Sequence, residues 1–168
     1  MLILGVDPGT AITGFGLVQT DGWHSTAVKY GCIRTEAKTP MPERLGVIYQ
    51  SLAEIFRCYQ PDMFAIEKLF FASNANSAMQ VGEARGVAIL AAHHAGLEVF
   101  EYTPLQVKQA VVGYGKADKN QVQQMIKAIL HLEEIPRPDD AADALAIALC
   151  HAHSITPGFR PYRRRIYV

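Results

Sequence analysis

Two short apolar runs that each meet an acid, LILGVD (2–7) and MFAIEKLFF (63–71), restrict this chain more than any other feature. Runs of that length read as strands. An ionised carboxylate inside or at the end of one is costly to bury unless a partner or a cation receives it. Glu67 stands between Met63–Ile66 and Leu69–Phe71, and a strand end pointing into solvent is its plain alternative. Asp7 directly precedes Pro8-Gly9 and has a second explanation too, because aspartate is a common turn residue. Either acid can cap or face water; together they can also form the rim of a site.

The segments around them point to an α/β fold. ITGFGLVQT (12–20) alternates, Asp21-Gly22 is a hairpin signal, and a third strand-like stretch runs from His24 to Arg34. A helix is predicted from Pro42-Glu43, where proline suits the first turn, with Leu45, Ile48, Tyr49, Leu52, Ile55 and Phe56 at helical spacing. A second helix covers Asn74–Ala95, and its Gly82 and Gly86 would let another helix or a symmetry mate approach closely. LEVFEY (97–102) reads as a strand. Helices follow around Leu105–Val112, Asp118–Leu132 and Asp139–His151. Opening strands followed by alternating strands and helices predict a mixed sheet, antiparallel at its start, flanked by helices. One domain over 1–153 is expected, with 154–168 a basic, flexible tail.

Composition excludes more than it selects. No run approaches ~18 apolar residues, and the N-terminus lacks a basic leader, so a cytoplasmic protein is expected. Three widely spaced cysteines, Cys32, Cys58 and Cys150, fit neither a disulfide framework nor a zinc site. Sixteen basic and sixteen acidic residues argue against a purely electrostatic coat for DNA. If several acids gather in one site, the remaining surface is more basic than that total suggests.

The densest acidic signal is PDDAADALAIAL (138–149). On a helix Asp140 and Asp143 are i,i+3 neighbours and Asp139 and Asp143 are i,i+4 neighbours, so either pair shares a face. Asp139 would also suit an N-cap. Spacing alone does not choose between Asp139 and Asp140. Acids from a first strand, a middle strand and a late helix form the oxygen donor set that hard divalent cations require.

At this point four separated segments resemble a known family. GVDPGTAITGFGLV, PDMFAIEKLFFASNANSAMQVGEARGVA, QVKQAVVGYGKADKNQVQQM and DAADALAIAL are similar, in the same order, to the RuvC-type Holliday junction resolvases, from Leu2 to His153. The resemblance implies a ribonuclease-H-like fold and a metal set of Asp7, Glu67, Asp140 and Asp143, with Asp139 left as the cap. It implies that Phe70 lies in the open centre of the junction, and that Lys108 and Lys119 act near the scissile phosphate. It also implies two Mg²⁺ ions per subunit (or Mn²⁺), a homodimer on four-way DNA, and a branch-migration helicase as partner.

The implied reaction is paired, symmetric phosphodiester hydrolysis during recombination and repair. Two ions roughly 4 Å apart activate water and stabilise the leaving oxygen. In that scheme Asp7 bridges the ions, Glu67 and Asp140 each complete one side, and Asp143 finishes a shell. Two basic side chains have an ordinary alternative, since lysine is mostly solvated. Phe70 and Phe71, if in a strand, point to opposite faces, and an exposed ring stacks on an unpaired base for ~1–3 kcal/mol. Rival readings are a sugar-kinase-like phosphotransferase suggested by GVDPGT, a related nuclease without junction specificity, and a catalytically silent junction binder.

Overall fold

The computed structural model describes residues 1–69 and 75–155. Three strands come first: β1 (Leu2–Asp7), β2 (Ile12–Thr20) and β3 (Ser25–Arg34). They are followed by α1 (Met41–Tyr59), β4 (Met63–Glu67), α2 (Ala75–His94), β5 (Val99–Tyr102), α3 (Pro104–Val112), α4 (Lys119–Ile129) and α5 (Asp139–Ser154). The sheet order is β3-β2-β1-β4-β5. β1 pairs antiparallel with β2 and parallel with β4, so the predicted mixed sheet with antiparallel opening strands is what forms. Among the described residues, no helix is long and apolar enough to cross a membrane.

Period-two alternation sorts the strands' side chains onto two faces. Leu4, Val6, Phe64 and Ile66 pack with Ile48, Leu52 and Phe56 of α1 and with Ala84, Ala88, Ala91 and Ala92 of α2. Ile3, Met63 and Ala65 face the other way and meet α5, backed by Val107 and Val111 of α3 and Val122 and Ile126 of α4. A side chain such as Leu52 or Leu145, with no exposed surface, contributes about 1.5–3 kcal/mol by leaving water.

Beyond its acidic first turns helix α5 is buried on every side, with Ala141, Ala142 and Ala144 through Ala152 all buried. A helix of that character belongs inside a protein, and here it lies between the sheet and the α3/α4 layer. Glycines set how close it comes. A Cβ on Gly5 would collide with the Ala144 carbonyl oxygen, and one on Gly14 with the Asp140 carbonyl oxygen. The α5 backbone therefore rests directly on β1 and β2, which a larger residue at either position would prevent.

Several boundaries differ from the sequence-based expectation. The strand of the middle acid ends at Glu67, so Leu69 does not extend it. Phe70 and Phe71 themselves lie outside the described residues, as does the tail from residue 156. The fifth strand is shorter than LEVFEY, beginning at Val99. Asp139 is not the cap of α5: Pro138 occupies the N-cap position, with no capping side-chain bond, and Asp139 is the first helical residue.

Candidate active site

Pairing register brings the first two acids together. Val6 pairs with Ile66 in the parallel ladder, so Asp7 and Glu67 are the next residues along and leave the same end of the sheet. Since Ile3, Met63 and Ala65 face α5, the two-residue period puts Asp7 and Glu67 on that face as well. The third acid arrives by backbone contact. Gly14 is the cross-strand partner of Asp7, and the Asp140 backbone rests on Gly14. One helical turn on, Asp143 faces the same end.

These carboxylates feel one another strongly. Burial, then the charges of Glu67, Asp143 and Asp140, push the Asp7 carboxyl up to about 7. Glu67 is also raised, by burial and then by Asp143. Asp143 is raised by burial, against the opposing bond from Lys119. Among the described residues, no three His, Cys, Asp or Glu side chains are yet drawn into a group that could hold an ion. Four carboxyls gathered at one end of a sheet disfavour one another's ionised forms.

Lys119 is the cation already in place. A capping box in which Asp118 and Gln121 exchange bonds of 2.9 Å fixes Lys119 as the first residue of α4. Its Nζ lies 3.2 Å from Asp143 Oδ2 and 3.3 Å from Asp139 Oδ2. Partial burial works against its charge, but the bonds to these two acids hold its pKa above the ordinary lysine value.

Beside the acids opens a cavity of about 240 Å³. Glu67, Asp143, Lys119 and Lys108 supply its polar lining, while Val107, Val122 and Ala146 form apolar walls. The structure thus brings Lys108 and Lys119 to the acidic end of the sheet. The remaining expected site residue, Phe70, follows Glu67 by three positions but is outside the described residues.

Sequence reading missed several neighbours. Arg85 of α2 donates from Nε to the Glu67 carbonyl at 3.2 Å and pairs with Glu101 at 2.6 Å, tying the end of β4 to α2 and β5. Gln123 and Arg137 both donate to Asp139. Cys32 pairs with Gly14 in the β2–β3 ladder, and burial followed by the Asp140 charge pushes its thiol up, so it remains protonated. The i,i+4 spacing of Lys119 with Gln123 and of Asp139 with Asp143 was visible, but nothing in it showed that the two pairs meet. His151 stays out of the site: it is buried between Tyr102 and Met63.

Comparison with known proteins decides the family. The family model for "Crossover junction endodeoxyribonuclease RuvC" matches residues 3–151. The chain belongs to the RuvC family. A RuvC protein of Desulfitobacterium hafniense is 59% identical over 155 residues, covering 92% of this chain and 94% of that one. The RuvC protein of Pelotomaculum thermopropionicum is 58% identical over 156 residues, covering 93% and 95%. Among solved structures, Thermus thermophilus RuvC in complex with a Holliday junction substrate superposes with a TM-score of 0.88 at 39% identity, covering 92% of this chain and 94% of that one. The ribonuclease-H-like fold expected from the sequence is therefore present. As a RuvC protein this chain is a crossover junction endodeoxyribonuclease, and the matched span contains all four acids and both lysines.

Proposed function

We propose that this nuclease resolves Holliday junctions in the cytoplasm by divalent-cation-dependent hydrolysis, with Asp7, Glu67, Asp140 and Asp143 as the cation ligands. The observation that supports it is the Asp7 carboxyl held at about 7 by burial and by three neighbouring acids. A hard cation with oxygen ligands relieves such a cluster, and no sulfur or imidazole ligand competes in the proposed set. When bound, Mg²⁺ or Mn²⁺, two per subunit, would lower the pKa of the attacking water and stabilise the leaving oxygen.

The chain's own groups do the rest. Lys119 presents its ammonium to the transferring phosphate, and Lys108 across the cavity holds the strand by its backbone. Val107 and Val122 exclude bulk water from one wall, which strengthens the electrostatic contacts made there. Phe70 supplies the aromatic at the junction's centre, an assignment that rests on resemblance alone.

Two nicks in strands of like polarity call for a C₂ pair of sites. The open face of α2 supports a homodimer. Among the described residues, a Cβ at Gly86 would meet nothing within 4 Å and one at Gly82 would meet only Leu69, and α1 packs on the alanines instead. Met79 and Leu90 are exposed on the same helix. A branch-migration helicase complex is the partner proposed, on resemblance alone.

The experiment is cleavage of a labelled four-way junction, with and without Mg²⁺, beside matched linear duplex and single strand. Paired nicks in the junction alone, dependent on metal and lost in Asp7→Asn, are expected. Equal cutting of all substrates would remove junction selectivity, and cutting in EDTA would remove the cation. Light scattering at micromolar concentration should give a dimer; a monomer counts against the α2 interface.

A further inference from the structure

Asp139 is neither the cap of α5 nor one of the four proposed ligands, yet both of its carboxylate oxygens are engaged. Oδ1 accepts from Gln123 Nε2 at 3.0 Å and from Arg137 at 2.8 Å. Oδ2 faces the Lys119 ammonium at 3.3 Å. Gln123 is buried at 5% exposure and sits one turn after Lys119 on α4, so its bond locks α4 to α5 at the level of that lysine. One oxygen is tied to the scaffold and the other to the cation.

We propose that Asp139 is a positioning residue that gives the Lys119 ammonium a second anchor and so holds it beside the cutting site when a cation takes the Asp143 oxygens. This rests on the cation-dependent reading given above. Lys119 Nζ straddles two carboxylates, with Asp143 Oδ2 at 3.2 Å on its other side. A cation that takes the Asp143 oxygens has to displace the ammonium from them. With Asp139 present, Lys119 gives up one of two contacts and stays where it can reach a phosphate. Without Asp139, Asp143 is the carboxylate left to it, and lysine and metal compete for the same oxygens.

The consequence is a coupling between Asp139 and Lys119 that a plain negative charge near the metal would not show. Mn²⁺ binding to the full-length protein is measured by electron paramagnetic resonance of the free ion. Wild type, Asp139→Asn, Lys119→Met and the double variant form a cycle. Asp139→Asn should weaken Mn²⁺ binding about three- to five-fold, the range of a partly exposed ion pair. In the Lys119→Met background the same change should have almost no effect. Single-turnover junction cleavage at saturating metal should fall in Asp139→Asn while junction affinity holds.

Equal weakening in both backgrounds would overturn the proposal, because Asp139 would then act only as a nearby charge. No weakening in either would overturn it as well. A wild type that binds no Mn²⁺ would overturn this inference together with the cation-dependent reading. Binding by wild type without coupling in the cycle would overturn this inference alone.

Discussion

The two ends of α5 bury ionisable groups in opposite ways. At its C-terminal end His151 is completely buried, its Nδ1 lies 2.7 Å from Tyr102 Oη, its Nε2 lies 2.8 Å from Met63 Sδ, and its ring stacks on Phe100 at 4.2 Å. A neutral imidazole that accepts at Nδ1 and donates from Nε2 satisfies both contacts. Burial depresses its pKa to about 4, so it stays neutral. At the N-terminal end Asp140 and Asp143 stand against half-buried Asp7, and the cluster is frustrated, with Asp7 raised to about 7. One end is arranged for stability and the other sacrifices it, the pattern expected where strongly perturbed groups serve chemistry.

Substitution at each end should separate these roles. The largest effect is expected for Asp7→Asn: junction cleavage should fall at least ~10³-fold, about 4 kcal/mol of transition-state stabilisation. Its melting temperature in EDTA should rise by roughly 2–5 °C, because a crowded, half-buried charge is gone. A melting temperature that falls instead would break the contrast. His151→Ala should do the reverse, costing about 3 kcal/mol of stability by opening a cavity and removing the imidazole partner of the Tyr102 hydroxyl. Cleavage well below its melting temperature should stay within about two-fold of wild type, read by the same junction assay.

The subtlest test is pH dependence without divalent cations. The raised pKa of Asp7 means the folded state keeps a proton the unfolded chain has released. Its contribution is full below the ordinary carboxylate range and is lost as pH rises through about 7. The depressed pKa of His151 has the opposite sign: its contribution is full above about 6.5 and is lost as pH falls through about 4. Between these limits the two oppose each other in the wild type. Glu67 and Asp143 are raised as well and share the sign of Asp7, so urea unfolding of His151→Phe should show stability falling from pH 4.5 to 6.5, while Asp7→Asn should lose most of the fall that Asp7 imposes. Each variant should differ from wild type by about 2 kcal/mol over that interval, since one pKa unit is worth about 1.4. Parallel profiles in the two variants would remove the comparison.

Much of this was open to reading before any coordinates. Local chemistry decided the elements: alternation in β2, the Ile48–Leu52–Phe56 stripe of α1 and the chain order of strands and helices all emerged as expected. Apolar runs meeting Asp7 and Glu67 marked the acids, because a charge beside such segments needs a reason. Family resemblance added Asp140 over Asp139, Lys108, Lys119 and Phe70, none of which spacing could select.

Boundaries and meetings were less legible. MFAIEKLFF is uniformly apolar around its charges, so nothing local showed that pairing stops at Glu67. Asp139 carried an N-cap signature, yet the bonds it makes come from Lys119, Gln123 and Arg137. What the sequence by itself determined is which residues prefer strand or helix and which acids are out of place among apolar neighbours, for those preferences are local. That Gly5 and Gly14 admit the α5 backbone, that Asp7 and Glu67 share a face, and that Lys119 comes to rest between Asp139 and Asp143 were decided only by tertiary structure. Those contacts join residues as much as 143 positions apart, from Gly5 to Ala148, and depend on the register and packing of elements whose local preferences say nothing about one another.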